Sequence, residues 1–562
     1  QTMSDERGRA PTKTGNGNAK VEEDSVSVVG IPENDNDTSF SFRKLWAFAG
    51  PGFLMSIACL DPGNIDSDLQ AGGQARFKLL WVLLLAHVMC LLLNRLSARL
   101  GIVTGKDMAE IARMYYPTAP RLIIWIMVEL SIICSDMQEV IGTAIAFYLI
   151  SNEYIPLWVG VLITVLDTIT FMTVERCGVR KLEFFFALLI GCMAVSFGYE
   201  YVVVKPNQGE VIKGIVIPWC EGCENKQLML GLSLLGATLQ PANFYLYSAL
   251  VKSRNIDRTR RHRVSEANMY NFIESGIALT VSFIINLFVI SVFADGLFEK
   301  TNEHVRDQCD AQYGIPNPGA FPHNNETVDT DVYKAGIFLG CEFGLAAMYI
   351  WAVGILAAGQ SSTMCGTYAG QYVMEGFVRI ALPKWQRVLL TRSIAILPTL
   401  ALTLFAHGID SLTGMNDILN VIQMIQLPFA LIPVITFTAS KRIMHDFKMS
   451  RPFLAFAMIT SVIVIAINVY FIQDYITGQL GTNWYVYAGL AVPAIIYLIF
   501  VLYLVMLCLT ESDLIPEMHF CGIRLKGNFE SDAPWQAQPV EVCGAPWIDD
   551  GFDSEKTGQM RL

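Results

Sequence analysis

The sequence predicts an all-α polytopic membrane protein built as an inverted repeat, with its first and sixth helices unwound. Three observations carry this. Of 562 residues, 53% are hydrophobic and 16% charged, against about 25% charged in a soluble domain. Apolar segments near the ~20-residue length that crosses a bilayer recur about twelve times. The first and sixth of them carry a proline between polar residues, LDPGNIDSD (60–68) and LQPANFYL (239–246).

Residues 1–40 are polar, rich in Gly, Asn, Asp and Ser, and read as a disordered tail. They hold no cleavable signal, and Met3 reads as the native start with Gln1 and Thr2 a remnant. Spans are expected near 45–71, 77–100, 121–150, 156–174, 183–204, 228–251, 270–294, 335–358, 388–407, 416–438, 452–473 and 484–509. The membrane domain is thus 41–510, and 511–562 form a second polar tail.

Lys and Arg in short loops set orientation. Arg43 and Lys44 precede the first span. Lys106 and Arg113 follow the second, and Arg176, Arg180 and Lys181 the fourth. Six basic residues between Lys252 and Arg263 follow the sixth. Arg379, Lys384 and Arg387 follow the eighth, and Lys441, Arg442, Lys448 and Arg451 the tenth. Apart from Arg76 and Lys78, the opposite loops are poor in such residues. Both termini are therefore expected in the cytosol. The basic run after the sixth span fits this topology better than a nucleic-acid partner. The net charge of −11 comes partly from the tails and one loop and marks no partner surface.

The loop near 295–333 is then outside and carries the sequon Asn325–Glu326–Thr327. A second sequon, Asn36 to Thr38, falls in the cytosolic tail and should go unused. Most of the 13 cysteines lie in apolar runs and read as small core residues. Cys220, Cys223 and Cys309 lie in loops. A single CxxC is weak evidence for zinc, and an extracellular disulfide using some of these three is preferred.

Two broken helices at corresponding places in two halves place a binding site at their unwound segments. An ionisable residue inside a membrane is functional by default. Asp61 and Asn64, beside Pro62 and Gly63, read as oxygen ligands for a hard or borderline cation. Asp66 and Asp68 read as cation attractors at the mouth or as solvated surface carboxylates.

At these residues the chain resembles the NRAMP divalent-metal transporters, of the animal type. The resemblance spans about residues 40 to 510 and includes LDPGNIDSDLQAG, SDMQEVIGTAIA, SALVKSR, IWAVGILAAGQSSTM and LTGMNDILNVIQMIQLPFALIP. It implies a LeuT-like fold of five plus five helices with two more at the C-terminus. It implies divalent-metal import, usually with protons. By resemblance Asp61 and Asn64 are metal ligands, Ala58 and Ala237 add backbone carbonyls, and Gln423 joins in the occluded state. Glu129, Asp136, Glu139 and Arg392 match the network used for proton passage.

The chain departs from the family in the sixth helix. The family pattern there is Met-Pro-His, with a second histidine five residues on. Here stand Gln240, Pro241 and Ala242, then Tyr247, which reads as filling the histidine's space. A soft thioether has become an amide oxygen, and an all-oxygen shell suits hard cations. Calcium is the first expectation, magnesium the next, with manganese still carried. Losing two groups that titrate near neutrality predicts weak or absent proton coupling. The alternatives are a conventional proton-coupled Fe2+/Mn2+ importer and a non-transporting metal sensor. No P-loop, selectivity-filter repeat or enzyme motif is present, which argues against a primary pump, a channel or an enzyme. No cofactor is expected beyond the transported ion. The protein is expected as a monomer in the plasma or an endosomal membrane.

Overall fold

In hydrocarbon a lone segment satisfies its own backbone only as a helix, and helix dominates the computed structural model. It describes residues 40–57, 59–175, 179–218, 220, 222–223, 225–310, 320–378, 384–405, 409–480, 484–515, 519–520, 523–524 and 529–531. Ala58 and the sequon at Asn36 lie outside the described residues.

The chain begins with α1 (Phe42–Phe48), α2 (Pro51–Ile57) and α3 (Pro62–Ala75). Then come α4 (Leu80–Thr104), α5 (Met108–Tyr115), α6 (Thr118–Ile150), α7 (Leu157–Glu175), α8 (Val179–Val204) and α9 (Gln208–Val216). The second half opens with α10 (Asn225–Thr238) and α11 (Pro241–Leu250). It continues with α12 (Arg261–Gly296), α13 (Asn302–Asp310), α14 (Val332–Phe343), α15 (Leu345–Val378) and α16 (Lys384–Phe405). Next are α17 (Ile409–Gln426), α18 (Pro428–Ala439), α19 (Lys441–Met444), α20 (Arg451–Leu480) and α21 (Trp484–Glu511).

Among the described residues, seven helices are long and apolar enough to cross a membrane, and three shorter apolar stretches join them. The broken pairs α2/α3 and α10/α11 complete the expected set. Pro62 and Pro241 each stand at the first helical position, after Asp61 and Gln240 as N-caps. Proline is favoured there because its missing N–H has no intrahelical use. The two breaks are thus built alike, as the repeat requires.

The eighth span differs from expectation. The apolar run near 335–358 is split at Gly344, whose φ of 94° suits glycine. The long helix is α15, which starts there and runs to Val378. The tenth span also breaks, between Gln426 and Pro428. A two-stranded antiparallel pair, His519–Phe520 with Ile523–Arg524, interrupts the all-helical pattern in the C-terminal segment. Ser531 docks by accepting from His445 or donating to it, and by donating to the Ile443 carbonyl at 2.5 Å.

Among the described residues two disulfides are present, Cys220–Cys223 and Cys309–Cys341. Cys341 lies within an apolar helix, so sequence reading took it for core. Asn325 is exposed in the α13–α14 connection.

The basic connections gather at one end of the bundle. Lys44 pairs with Glu266 at 2.6 Å, and Arg254 donates to the Ala49 carbonyl at 2.6 Å. Arg258 donates to the Ile102 carbonyl at 2.9 Å, and Arg442 pairs with Glu511 at 2.7 Å. At the same end α5 begins with a capping box, Asp107 and Glu110 each accepting the other's backbone N–H. Lys252, just past α11, bridges both carboxylates at 2.8 and 2.7 Å. Burial pushes the Asp107 carboxyl up to about 6, although Lys252 opposes it. Glu110 is more exposed, and its pKa is lowered: burial would raise it, but Lys252 and the hydrogen bonds outweigh that.

The sign follows from Asp107. Its raised pKa means the folded protein holds a proton that the unfolded chain has released. Its own contribution is present at low pH and lost as pH rises through about 6. Removing Lys252 therefore matters most where both carboxylates are charged. Lys252→Met should cost about 1–3 kcal/mol near neutral pH, the scale of a buried hydrogen-bonding group left unpaired, and clearly less near pH 5. Thermal melts of the purified protein at the two pH values test this, and equal costs would refute the coupling.

Candidate metal centre

Helix geometry explains why oxygen gathers at the two breaks. An α-helical carbonyl accepts from the N–H four residues on. For Ala58 that residue is Pro62, and for Ala237 it is Pro241. Neither proline has an N–H to give. The two carbonyls expected to face a cation are therefore the ones each proline deprives of a helical partner. Ala237 is buried at the last turn of α10.

Asp61, Asn64 and Gln240 are all within 5% of full burial, and the structure brings them together. Asp61 Oδ1 accepts the Asn64 backbone N–H at 2.7 Å and the Asn64 amide at 2.6 Å. The Gln240 amide donates to Asp61 Oδ2 across the two breaks. Both amides thus aim positive hydrogens at the only carboxylate of the three. A half-turn of each amide presents oxygen instead, since the two ends have nearly the same shape. The three side chains can then surround a cation with neutral oxygens and one negative charge.

Gln423 is buried on α17 but donates to Gln138 Oε1 on α6 at 2.7 Å. Gln138 in turn donates to Asn420 at 2.7 Å. Gln138 also packs on Gly63, where a Cβ would meet its amide at 2.8 Å. Gln423 therefore stands one residue removed from the Asp61 cluster, linked to it through Gln138. Sequence reading missed Gln138 and Asn420. The signal was available in SDMQEVIG, an uncharged polar residue one place before Glu139.

Asp66 and Asp68 are buried, at 3% and 1% exposure, so they are not solvated surface groups. Asp66 accepts from Asn416 at 2.6 Å and Gln70 at 3.1 Å. This ties α3 to α17 above the break.

Asp136, Glu139 and Arg392 form a buried ion cluster between α6 and α16. Arg392 lies 3.7 Å from Asp136 and 3.4 Å from Glu139, and donates to the Thr363 carbonyl at 2.7 Å. Glu129 lies two turns before Asp136, half-buried, accepting from the Trp125 indole at 3.0 Å. A small cavity lined by Gln240, Ala242, Asn243, Ser362, Cys365 and Glu139 joins the two clusters. Its volume for water centres is about 10 Å3, room for one water molecule. Asn243 Nδ2 and Glu139 Oε1 are buried there without a hydrogen-bond partner among the described residues.

Tyr247 does more than fill space. Its hydroxyl donates to Asn271 at 3.2 Å and shares a hydrogen bond with Ser275. The adjacent Glu274 accepts the Gly50 and Gly52 backbone N–H groups at 2.5 and 2.9 Å. Tyr247 therefore braces the stretch of α12 that holds the start of α2.

The profile described as natural resistance-associated macrophage protein-like matches residues 52–474. The chain is 59% identical over 520 residues to the NRAMP-like transporter smf-1 of Caenorhabditis elegans, covering 92% of each. It is 56% identical over 481 residues to natural resistance-associated macrophage protein 2 of Homo sapiens, covering 86% of this chain and 84% of that one. A solved manganese transporter of Eremococcus coleocola superposes with a TM-score of 0.73 at 28% identity, over 87% of this chain and 98% of that one. Mhp1, a nucleobase-cation-symport-1 family transporter, shares the fold at a TM-score of 0.50 and 14% identity. With the profile matching most of its length, the chain belongs to the natural resistance-associated macrophage protein-like (Nramp) family.

Proposed function

We propose that this protein imports divalent metal ions by alternating access and accepts hard alkaline-earth ions, Ca2+ first and Mg2+ next, with Mn2+ also carried. Asp61, Asn64 and Gln240 would bind the ion with the carbonyls of Ala58 and Ala237, and Gln423 would join on occlusion. One observation carries the reading. The side chain that the second break aims at Asp61 is the amide of Gln240, where the family resemblance implies a methionine. A thioether favours softer ions, whereas oxygen donors serve calcium, magnesium and manganese alike. Calcium takes six to eight oxygens in irregular geometry, while magnesium keeps its waters and demands an octahedron. A shell of flexible amides and carbonyls suits calcium best. The manganese transport named for the Eremococcus coleocola protein supports keeping Mn2+ among the ions carried.

Weak or absent proton coupling belongs to the same reading. Ala242 and Tyr247 stand where the family has histidines, and a tyrosine does not ordinarily titrate near neutral pH. An inward calcium gradient needs no second driving ion. The second reading is a proton-coupled Fe2+/Mn2+ importer, and the buried Asp136–Glu139–Arg392 cluster favours it. We further propose cytosolic termini, a plasma or endosomal membrane, a monomer, no bound cofactor and glycosylation at Asn325.

Uptake into proteoliposomes, with Ca2+, Mg2+ and Mn2+ compared and lumenal pH recorded, tests the proposal. Calcium should enter without lumenal acidification. Manganese uptake with calcium excluded, or acidification driven by metal, would select the second reading. Asp61→Ala should abolish uptake of every ion. Gln240→Met with Ala242→His should shift the Mn2+/Ca2+ ratio by about tenfold, ~1.4 kcal/mol of differential binding. An unchanged ratio would place selectivity elsewhere. Gly63→Ala should slow transport of all ions alike while the protein stays folded, because its Cβ lands on Gln138. A change in ion preference instead would show that Gly63 shapes the ion shell.

A further inference from the structure

Beside the Asp61 cluster lies a pair of thiols that the transport reading does not use. Cys59 sits in the unwound segment two residues before Asp61, and Cys90 sits on α4. Their Sγ atoms are 3.7 Å apart, and both residues are buried. Neither is in a disulfide. Cys59 Sγ also lies 3.8 Å from the carbonyl oxygen of Thr238, the last residue of α10 before the second break. One sulfur thus stands between the two breaks, and the other anchors the pair to an unbroken helix.

The spacing is that of a chelate. Two thiolates bound to one tetrahedral ion at ~2.3 Å lie about 3.8 Å apart. The surroundings are fixed in the same sense. The Cys59 carbonyl accepts the Asn286 amide at 3.0 Å, which holds the unwound turn in place. Asn94 donates its amide to Cys90 Sγ at 3.3 Å. An N–H on sulfur is the kind of outer-shell contact that steadies a thiolate ligand. His87, one turn before Cys90, sets its Nδ1 3.0 Å from the Leu83 carbonyl and its Nε2 3.5 Å from Ser282.

We propose that Cys59 and Cys90 form a second metal site, chemically opposite to the transport site, which captures thiophilic divalent ions of the Cd2+ and Zn2+ class. The Thr238 carbonyl supplies an oxygen to it. On binding, the two thiols release two protons and the ion ties both breaks to α4. Unwound segments change shape as such a site opens to one side and then the other, so this tie arrests transport. Hard ions pass because thiolates hold them poorly. The site therefore acts as a sensor by which toxic soft ions shut the protein.

The test has a binding and a transport arm. Purified full-length protein titrated with Cd2+ should develop thiolate-to-cadmium ultraviolet absorbance, and this does not depend on which ion is transported. In proteoliposomes, Cd2+ should lower the maximal rate of Mn2+ uptake, excess Mn2+ should not restore it, and a dithiol chelator should. Cys59→Ser and Cys90→Ala should each lose the absorbance. Each should also need at least about tenfold more Cd2+ for the same block, the scale on which metal sites weaken when even an outer-shell group is removed. Each variant is compared with its own uninhibited rate, and its Mn2+ uptake reports whether it has folded. Cys365→Ser, with its thiol beside the Glu139 cavity, should keep the absorbance and the block. Purely competitive inhibition, absorbance that survives in both variants, or a block carried by Cys365 would each overturn the proposal.

Discussion

Two prolines that cannot donate a hydrogen bond set the terms for the rest of the structure. Pro62 and Pro241 have no N–H to give to the carbonyl four residues before each of them, in the apolar layer. An unsatisfied backbone group there costs several kcal/mol, whereas a made hydrogen bond nets only about 1 kcal/mol. The breaks persist only if other groups satisfy them. One such group comes from α12, where the Asn286 amide donates to the Cys59 carbonyl, while Asn64 and Gln240 satisfy the Asp61 carboxylate and Asn416 that of Asp66. A cation coordinated there as proposed would be one more such partner, and its binding would then add to fold stability.

The second constraint is charge. Arg392 is buried between two carboxylates, and removing one member of such a set usually costs about 3–5 kcal/mol, because it strands a charge. The cluster is therefore structurally demanding whether or not protons are carried. What decides coupling is the route between it and the cation. That route holds Ala242, Asn243 and Ser362 around a space for one water, and none of these three titrates. A proton would cross there by water, the Ser362 hydroxyl and the Cys365 thiol, none of which ordinarily titrates near neutral pH as a histidine does. The same short gap in a chain with histidine at position 242 would contain a titrating group. On the proposed reading, weak proton coupling would follow from this few-ångström stretch of side chain.

The broken helices were legible in the sequence because proline and an intramembrane carboxylate are local signals. Asp61, Asn64 and Gln240 could be named as neighbours because the repeat made their positions correspond. Gln138 stood out as a polar residue in an apolar run, but its partners, like those of Asn420 and Asn416, were not legible, since an intramembrane amide says nothing about which helix it faces. The eighth span was misplaced because hydropathy runs unbroken through Phe343, Gly344 and Leu345, while the backbone turns at the glycine. Cys341 was lost in the same way, its apolar neighbours hiding a partner 32 residues away. Local chemistry shows in the sequence, and partner choice across the bundle does not.

The charge of the site also bears on transport as distinct from storage. Tight calcium sites gather several carboxylates, and affinity falls as their number falls. On the proposed reading one carboxylate meets the ion, and part of it is already engaged. The Asn64 backbone N–H holds Asp61 Oδ1 as the cap of α3, and that bond need not break on binding. The ion must displace the two amide donors, from Asn64 and Gln240, before it gains their oxygens. Each displaced hydrogen bond would offset part of the new coordination, so the proposed binding would be shallow. A shallow site suits a carrier, which must release its cargo on the far side. It also suits an ion whose shell can be assembled one flexible oxygen at a time, which is a stronger argument for calcium than for magnesium.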